Sequence, residues 1–235
     1  MFYIFAMKLI SKEQALNIQN ELMNEHKFSI EQMAELIGLS IAQAICDAYP
    51  LHDQMKPCLI IIGSGVNGAK GLVCARHMKN FGYSPVIFLI TELLRPFFLD
   101  LQKQCEMVDI PFLQDLPEPE TIADEYEFIV DAIYGYTFEP PVRPATRAII
   151  DKIINSKLPI CSIDIPSGWN MDIGCVKSGP NPDVLISIIL PKHCLCGIEP
   201  VQHYLVGRIL PPEIKQKYEL NLPEFPGHSL FLKLS

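Results

Sequence analysis

The sequence predicts a doubly wound α/β fold: a mostly parallel sheet with helices on both faces in a Rossmann-like three-layer arrangement, plus a helical layer at the N-terminus. Three observations carry the prediction. Five short runs are almost wholly apolar and rich in β-branched residues, as strands covered on both faces must be. Helical patterns separate them, as parallel pairing requires. The first run leads at once into the glycine-rich turn Gly63-Ser64-Gly65-Val66-Asn67-Gly68-Ala69-Lys70-Gly71 and then into a helix.

Taken in order, Ser11 with Gln14 three residues later has the form of a capping box, and Ala15, Ile18 and Leu22 give the following helix its apolar face. A second helix starts at Ser29 or Ile30 and carries Met33, Ala34, Ile37, Ile41, Ala44 and Ile45 at helical spacing. Strands are expected at Leu59 to Gly63, Val86 to Ile90, Phe128 to Ala132, Ile160 to Asp164 and Val184 to Ile189, with weaker candidates near Ile110 and Tyr204. Helices are expected over about Leu72 to Asn80, Leu93 to Met107 and Ala145 to Ile154, and Leu210-Pro211-Pro212 opens a last short one. Pro117 to Glu120 and Phe138 to Pro141 read as loops. The expectation is one domain over 1–235, with its core at about 8–222 and a surface tail at 223–235.

Composition narrows the function classes. A chain of 235 residues, 49% hydrophobic, has room for one sizeable core. A net charge of −8 without any basic run argues against nucleic-acid binding, yet backbone amides can still hold a small phosphate-bearing ligand. The eight cysteines include no C-x-x-C and mostly sit in apolar runs, so buried free thiols are expected. Cys194-Leu195-Cys196 beside His193 lacks a second cluster to complete a metal site. No run approaches the ~20 apolar residues of a membrane span, and Met1 to Met7 is too short for a signal core, which makes the cytoplasm the expected compartment.

Gly63, Gly65 and Gly68 have the G-x-G-x-x-G spacing of dinucleotide sites, and Glu92 ends the next strand, where an acid meets a ribose in nicotinamide-dependent oxidoreductases. A tight strand-to-helix turn without a ligand would use the same glycines. Walker A fails because Ala69 separates Gly68 from Lys70, and a nucleophile elbow fails at Ile62 and Val66. Two further strand ends carry chemistry: Asp131 with Gly135, and Asp164 before Pro166 and Ser167. Ligands of an open parallel sheet sit beyond the carboxyl ends of its strands, so Asn67, Asp131, Asp164 and Ser167 can converge on one crevice. Such oxygens suit a hard cation, and a carboxylate suits acid-base work; singly, each Asp reads equally well as a turn cap.

The segments Gly63 to His77, Val130-Asp131-Ala132-Ile133, Ser162-Ile163-Asp164-Ile165-Pro166-Ser167-Gly168-Trp169, Pro182 to Ser187 and Pro191-Lys192 together resemble the YjeF N-terminal family, from the helix after Ser11 to Pro223. This is a family of NAD(P)H-hydrate epimerases, some of whose animal members bind apolipoprotein A-I. The resemblance implies an isomerase of nicotinamide nucleotide repair, which interconverts the R and S forms of hydrated NADH and NADPH. It implies potassium held by Asn67, Asp131 and Ser167, and Asp164 as the catalytic acid-base group that also contacts substrate. It assigns substrate binding to Val66, Asn67, Gly68, Ala69 and Lys70, and to a second loop of Gly135, Tyr136, Thr137, Phe138, Glu139, Pro140 and Pro141. Family members often dimerise, and some are mitochondrial or secreted.

The chain departs from the family loop Gly-Pro-Gly-Asn-Asn-Gly-Gly-Asp-Gly at Ser64, Val66, Ala69 and Lys70, the last reversing a charge. Pro140-Pro141 replace a more polar stretch, and Asn170 stands where the family usually has Asp. An animal branch with a similarly altered loop is associated with cholesterol efflux and angiogenesis. Resemblance to that branch implies a non-catalytic protein with apolipoprotein A-I or another protein as its partner.

Overall fold

The computed structural model describes residues 7–171, 179–195 and 202–235. Helix α1 (Lys12–Asn24) opens with the expected capping box: the Gln14 amide donates to Ser11 Oγ at 3.2 Å and the Ser11 amide to Gln14 Oε1 at 3.1 Å. Helix α2 (Ile30–Ala48) repeats the device with Ser29 and Gln32. Each box satisfies two amides that a helix start leaves without partners.

The sheet has eight strands in the order β3-β2-β1-β4-β5-β6-β7-β8. These are β1 (Cys58–Ile62), β2 (Pro85–Leu89), β3 (Phe112–Leu113), β4 (Ile129–Ala132), β5 (Ile160–Ile163), β6 (Val184–Ile188), β7 (Gln202–Val206) and β8 (Phe231–Lys233). Every pairing is parallel except β7 with β8. Alternate residues of each strand face opposite layers. Ile60 and Ile62 pack with α1, α2, α3 (Val66–Asn80) and α4 (Pro96–Glu106), while Leu59 and Ile61 pack with Ile122 of α5 (Pro119–Glu125) and with Ile150 and Ile153 of α6 (Pro144–Asn155). Because β1 has β2 on one side and β4 on the other, the winding direction reverses between β1 and β4, which opens a crevice at their carboxyl ends.

The structure corrects four expectations. Helix α3 starts at Val66, six residues before Leu72, so most of the glycine run is helical. Helix α4 starts at Pro96 rather than Leu93, because proline suits a first helical position. Residues read as a loop at Pro119 and Glu120 begin α5. The tail read as surface supplies the edge strand β8 and buries Leu234 against Leu205 and Met7. A short helix α7 (Pro212–Lys217) follows Leu210-Pro211 as expected.

Residues ahead of α1 are also tied in. Ile10 bridges to Lys192 in parallel, its amide donating to the Pro191 carbonyl at 3.1 Å while its carbonyl accepts from the His193 amide at 3.1 Å. Five of the six described cysteines are buried, with burial pushing the Cys58 and Cys105 thiols up to about 12. Cys175, Cys196 and Met1 to Ala6 lie outside the described residues. No described helix is long and apolar enough to cross a membrane.

Candidate functional site

Packing, more than ligand approach, explains two of the motif glycines. A Cβ on Gly63 would lie 2.0 Å from the Ile133 carbonyl oxygen, and one on Gly68 would lie 1.9 Å from that of Gly63. The Gly68 contact sets α3 against the end of β1, and the Gly63 contact sets the end of β1 against the segment after β4. Nothing lies within 4 Å of the corresponding point on Gly65, which faces the crevice.

The crevice is a cavity of about 300 Å³. Helix α3 lines it with Val66, Asn67 and Lys70, the loop after β4 with Gly135 to Glu139 and with Pro141, and the end of β5 with Asp164. Gly68, Ala69 and Pro140 do not line it; Ala69 is turned into the core. Glu92 lies on a separate, shallow depression together with Ser64 and Arg95. Six lining residues were not among the predicted site residues: Gln19 of α1, Ser64, Gly65, Ile133, Tyr134 and Arg143 at the start of α6. Gln19 was hidden on an amphipathic helix, and its only signal is a polar residue wedged between Ile18 and Leu22.

Asp164 occupies the focal position. Its φ is +70°, a left-handed conformation that non-glycine residues seldom adopt, and it turns the chain out of β5 ahead of Pro166. The carboxylate is buried and accepts from the Tyr136 amide at 3.3 Å, the Ile188 amide at 3.4 Å and the Lys192 ammonium. Lys192 also donates to the Ile188 carbonyl at 2.8 Å.

Asp131 and Ser167 lie beneath the cavity floor. The Asp131 carboxylate accepts from the Ile133 amide (3.2 Å), the Ser162 hydroxyl (3.0 Å), the Ser167 amide (2.8 Å) and the Ser167 hydroxyl. Burial pushes its carboxyl up against the downward pull of these donors. The chain of contacts continues upward: the Tyr134 amide donates to Ser167 Oγ at 3.0 Å, and Asn67 Nδ2 donates to the Tyr134 and Ile163 carbonyls at 2.7 and 3.1 Å. Asn67 Oδ1 is buried and has no donor among the described residues. Asn67, Ser167 and Asp131 are therefore joined through the Tyr134 peptide.

Polar contacts also fix the cavity walls. Lys12 of α1 pairs with Glu139 at 2.8 Å, and the Tyr136 hydroxyl donates to Gln19. Burial, and then the Asp164 charge, raise the Tyr136 phenol well above its ordinary range. Tyr134 stacks on Phe138 with ring centroids 4.2 Å apart, an aromatic surface at the cavity edge. Lys70 is buried, and burial lowers its ammonium to about 8; Asp164 draws it up and Lys192 draws it down. A buried carboxylate and a lysine of reduced basicity, side by side in one cavity, are equipment for proton transfer and for holding a charged ligand.

An open parallel sheet with one polar crevice at the switch between β1 and β4 defines a Rossmann-like α/β protein with a single-sided candidate ligand site. The family model for the YjeF-related protein N-terminus matches residues 30–194. The crystal structure of yeast ynu0, YNL200c, is similar over 97% of this chain and 100% of its own, at 35% identity and a TM-score of 0.90. The chain belongs to the YjeF N-terminal family, which is related to the NAD(P)H-hydrate epimerases. Other solved structures match weakly. The eIF2B-beta2-delta2 complex of C. thermophilum has 12% identity and a TM-score of 0.40 over 70% of this chain and 49% of its own. Shikimate dehydrogenase of Aquifex aeolicus has 14% and 0.33 over 55% and 41%.

Proposed function

We propose that the protein is an NAD(P)H-hydrate epimerase acting on hydrated NADH and NADPH. The observation that carries the reading is Asp164: a buried carboxylate held on three sides at the switch-point crevice, in a family related to such epimerases. Epimerisation needs the C6 hydroxyl to leave as water and water to return to the other face. Asp164 serves both directions: its protonated form donates to the departing hydroxyl, and its carboxylate takes the proton from the returning water. Between these steps the negative carboxylate faces a planar, cationic ring carbon and stabilises it. Lys192 and the Tyr136 and Ile188 amides hold the carboxylate in one orientation. The Tyr134–Phe138 stack offers a flat surface to a base or ring.

Potassium, implied by the family resemblance, fits these residues in kind. The candidate ligands Asn67, Asp131 and Ser167 each offer side-chain oxygen, Asn67 Oδ1 is a buried oxygen with no donor among the described residues, and Asp131 supplies compensating charge. Bound there, the ion would add fixed positive charge beneath the loop after β4. Asp131 would reach it only by releasing one of its four donors.

The test is to follow R and S forms of hydrated NADH in potassium buffer. The wild type should interconvert them, and Asp164→Ala should lose about 10²–10⁴-fold of the rate. No acceleration over the uncatalysed rate in the wild type would overturn the proposal. One observation favours a second reading, a non-catalytic binding protein of the apolipoprotein A-I-binding type. Lys70 and Lys192 together outnumber Asp164, and surplus positive charge opposes a cationic intermediate. Ligand binding without turnover, with capture of apolipoprotein A-I, would select that reading.

A further inference from the structure

We propose that Lys70 makes this cavity selective for a nucleotide whose ring bears a carboxylate, a nicotinic acid ring in preference to a nicotinamide one. The proposal rests on the reading of Asp164 as the group that faces the reacting carbon.

Lys70 is the fifth residue of α3, one turn inside the helix start. Only 6% of it is exposed, and it forms neither a hydrogen bond nor an ion pair with any described residue. It lines the main cavity and also a small inner chamber of about 40 Å³, whose walls include Ile18, Leu22, Ile37 and Ile188. A buried cation without a paired counter-charge is expensive, and Asp164, whose charge reaches Lys70, is already bonded to Lys192. Asp164 is engaged by Lys192 and Glu139 by Lys12, while Arg143 adds further positive charge to the cavity lining. The missing charge must come from the ligand.

Position distinguishes a ring substituent from a nucleotide phosphate. Phosphate belongs at the open start of α3, on the amides beyond Gly65. Lys70 lies deeper, and both it and Asp164 border the apolar inner chamber. In the hydrated ring the carboxamide stands across from the hydrated carbon. A group there can reach one residue while the reacting carbon faces the other. A carboxamide would offer Lys70 one neutral oxygen. A carboxylate offers charge-assisted hydrogen bonds, and its negative charge would offset the cation that forms when the hydroxyl leaves. The Lys70 that reverses the family's charge at this position would thereby match a substrate that carries a negative charge where the carboxamide is neutral.

Nicotinic acid mononucleotide and nicotinamide mononucleotide differ in this one group and share the same phosphate, so its contribution cancels. Titration calorimetry on the wild-type protein should show the acid binding tenfold or more tightly, and Lys70→Met should bring the two affinities to within about twofold. Equal affinities on the wild type overturn the proposal, as does a preference that survives in Lys70→Met. The wild-type comparison stands even where the variant folds poorly. Epimerisation with equal mononucleotide affinities would keep the reaction and reject the role of Lys70. Preference for the acid without epimerisation would do the reverse.

Discussion

Replacing Asp131 probes the frame beneath the cavity. Its four donors divide into two kinds. The Ser162 and Ser167 hydroxyls can rotate to serve another acceptor, whereas the Ile133 and Ser167 amides are fixed by the backbone. One fixed amide addresses each carboxylate oxygen. In Asp131→Asn, whichever way the side chain is turned, its NH2 group confronts one of them. One buried amide without an acceptor, set against relief from burying a charge, gives a net loss of about 2 kcal/mol. Asp131→Ala strands both amides and leaves a void, for about 4 kcal/mol. Urea titration measures both values. Melting points should fall by roughly 2–4 °C per kcal/mol for a chain of this size. An Asn variant within ~0.5 kcal/mol of wild type, with Ala no worse, would refute the four-donor account.

The motif glycines should separate cleanly. Gly68→Ala, whose Cβ would press on the Gly63 carbonyl at 1.9 Å, should cost about 3 kcal/mol or more in urea titration; Gly65→Ala, with open space and φ −92°, should stay within ~0.5 kcal/mol. His203 is buried with its Nε2 2.8 Å from Ser187 Oγ, and burial, reinforced by the Lys192 charge, lowers it to about 4. Since the unfolded chain takes up this proton near 6.5, the stability contributed by neutral His203 is full above that pH and is lost as pH falls toward 4, by about 3 kcal/mol. His203→Gln should flatten that part of a stability-versus-pH curve.

The strands were legible because a parallel sheet covered on both faces leaves almost no polar residue in them. Cys58 to Ile62 and Val184 to Ile188 could hardly be anything else. The start of α3 was not legible. Gly68 and Gly71 are poor helix formers, yet a Cβ on Gly71 would sit 2.6 Å from both Ala132 and Ile62, so close packing demands glycine inside the helix. Helix α5 is too short to show a period, and β8 has three residues preceded by a Pro- and Gly-containing stretch. Within the site, Asp131, Asp164 and Asn67 could be picked out because strand ends declare themselves. The linking role of the Tyr134 peptide could not, since backbone groups carry no signature in sequence. Lys70 could be seen as a reversed charge, but its isolation required coordinates.

Lys192 joins two places that are far apart in the chain. Its side chain holds Asp164, and its backbone neighbours pair with Ile10. The grip on the carboxylate and the anchoring of the segment before α1 are consequently linked in both directions. A ligand that tightens the Asp164–Lys192 pair also fastens residues 8–11, and a chain that lost those residues could retain its sheet while its acid-base group was held less firmly. The Ile10–Lys192 bridge thus belongs, in thermodynamic terms, to the cavity.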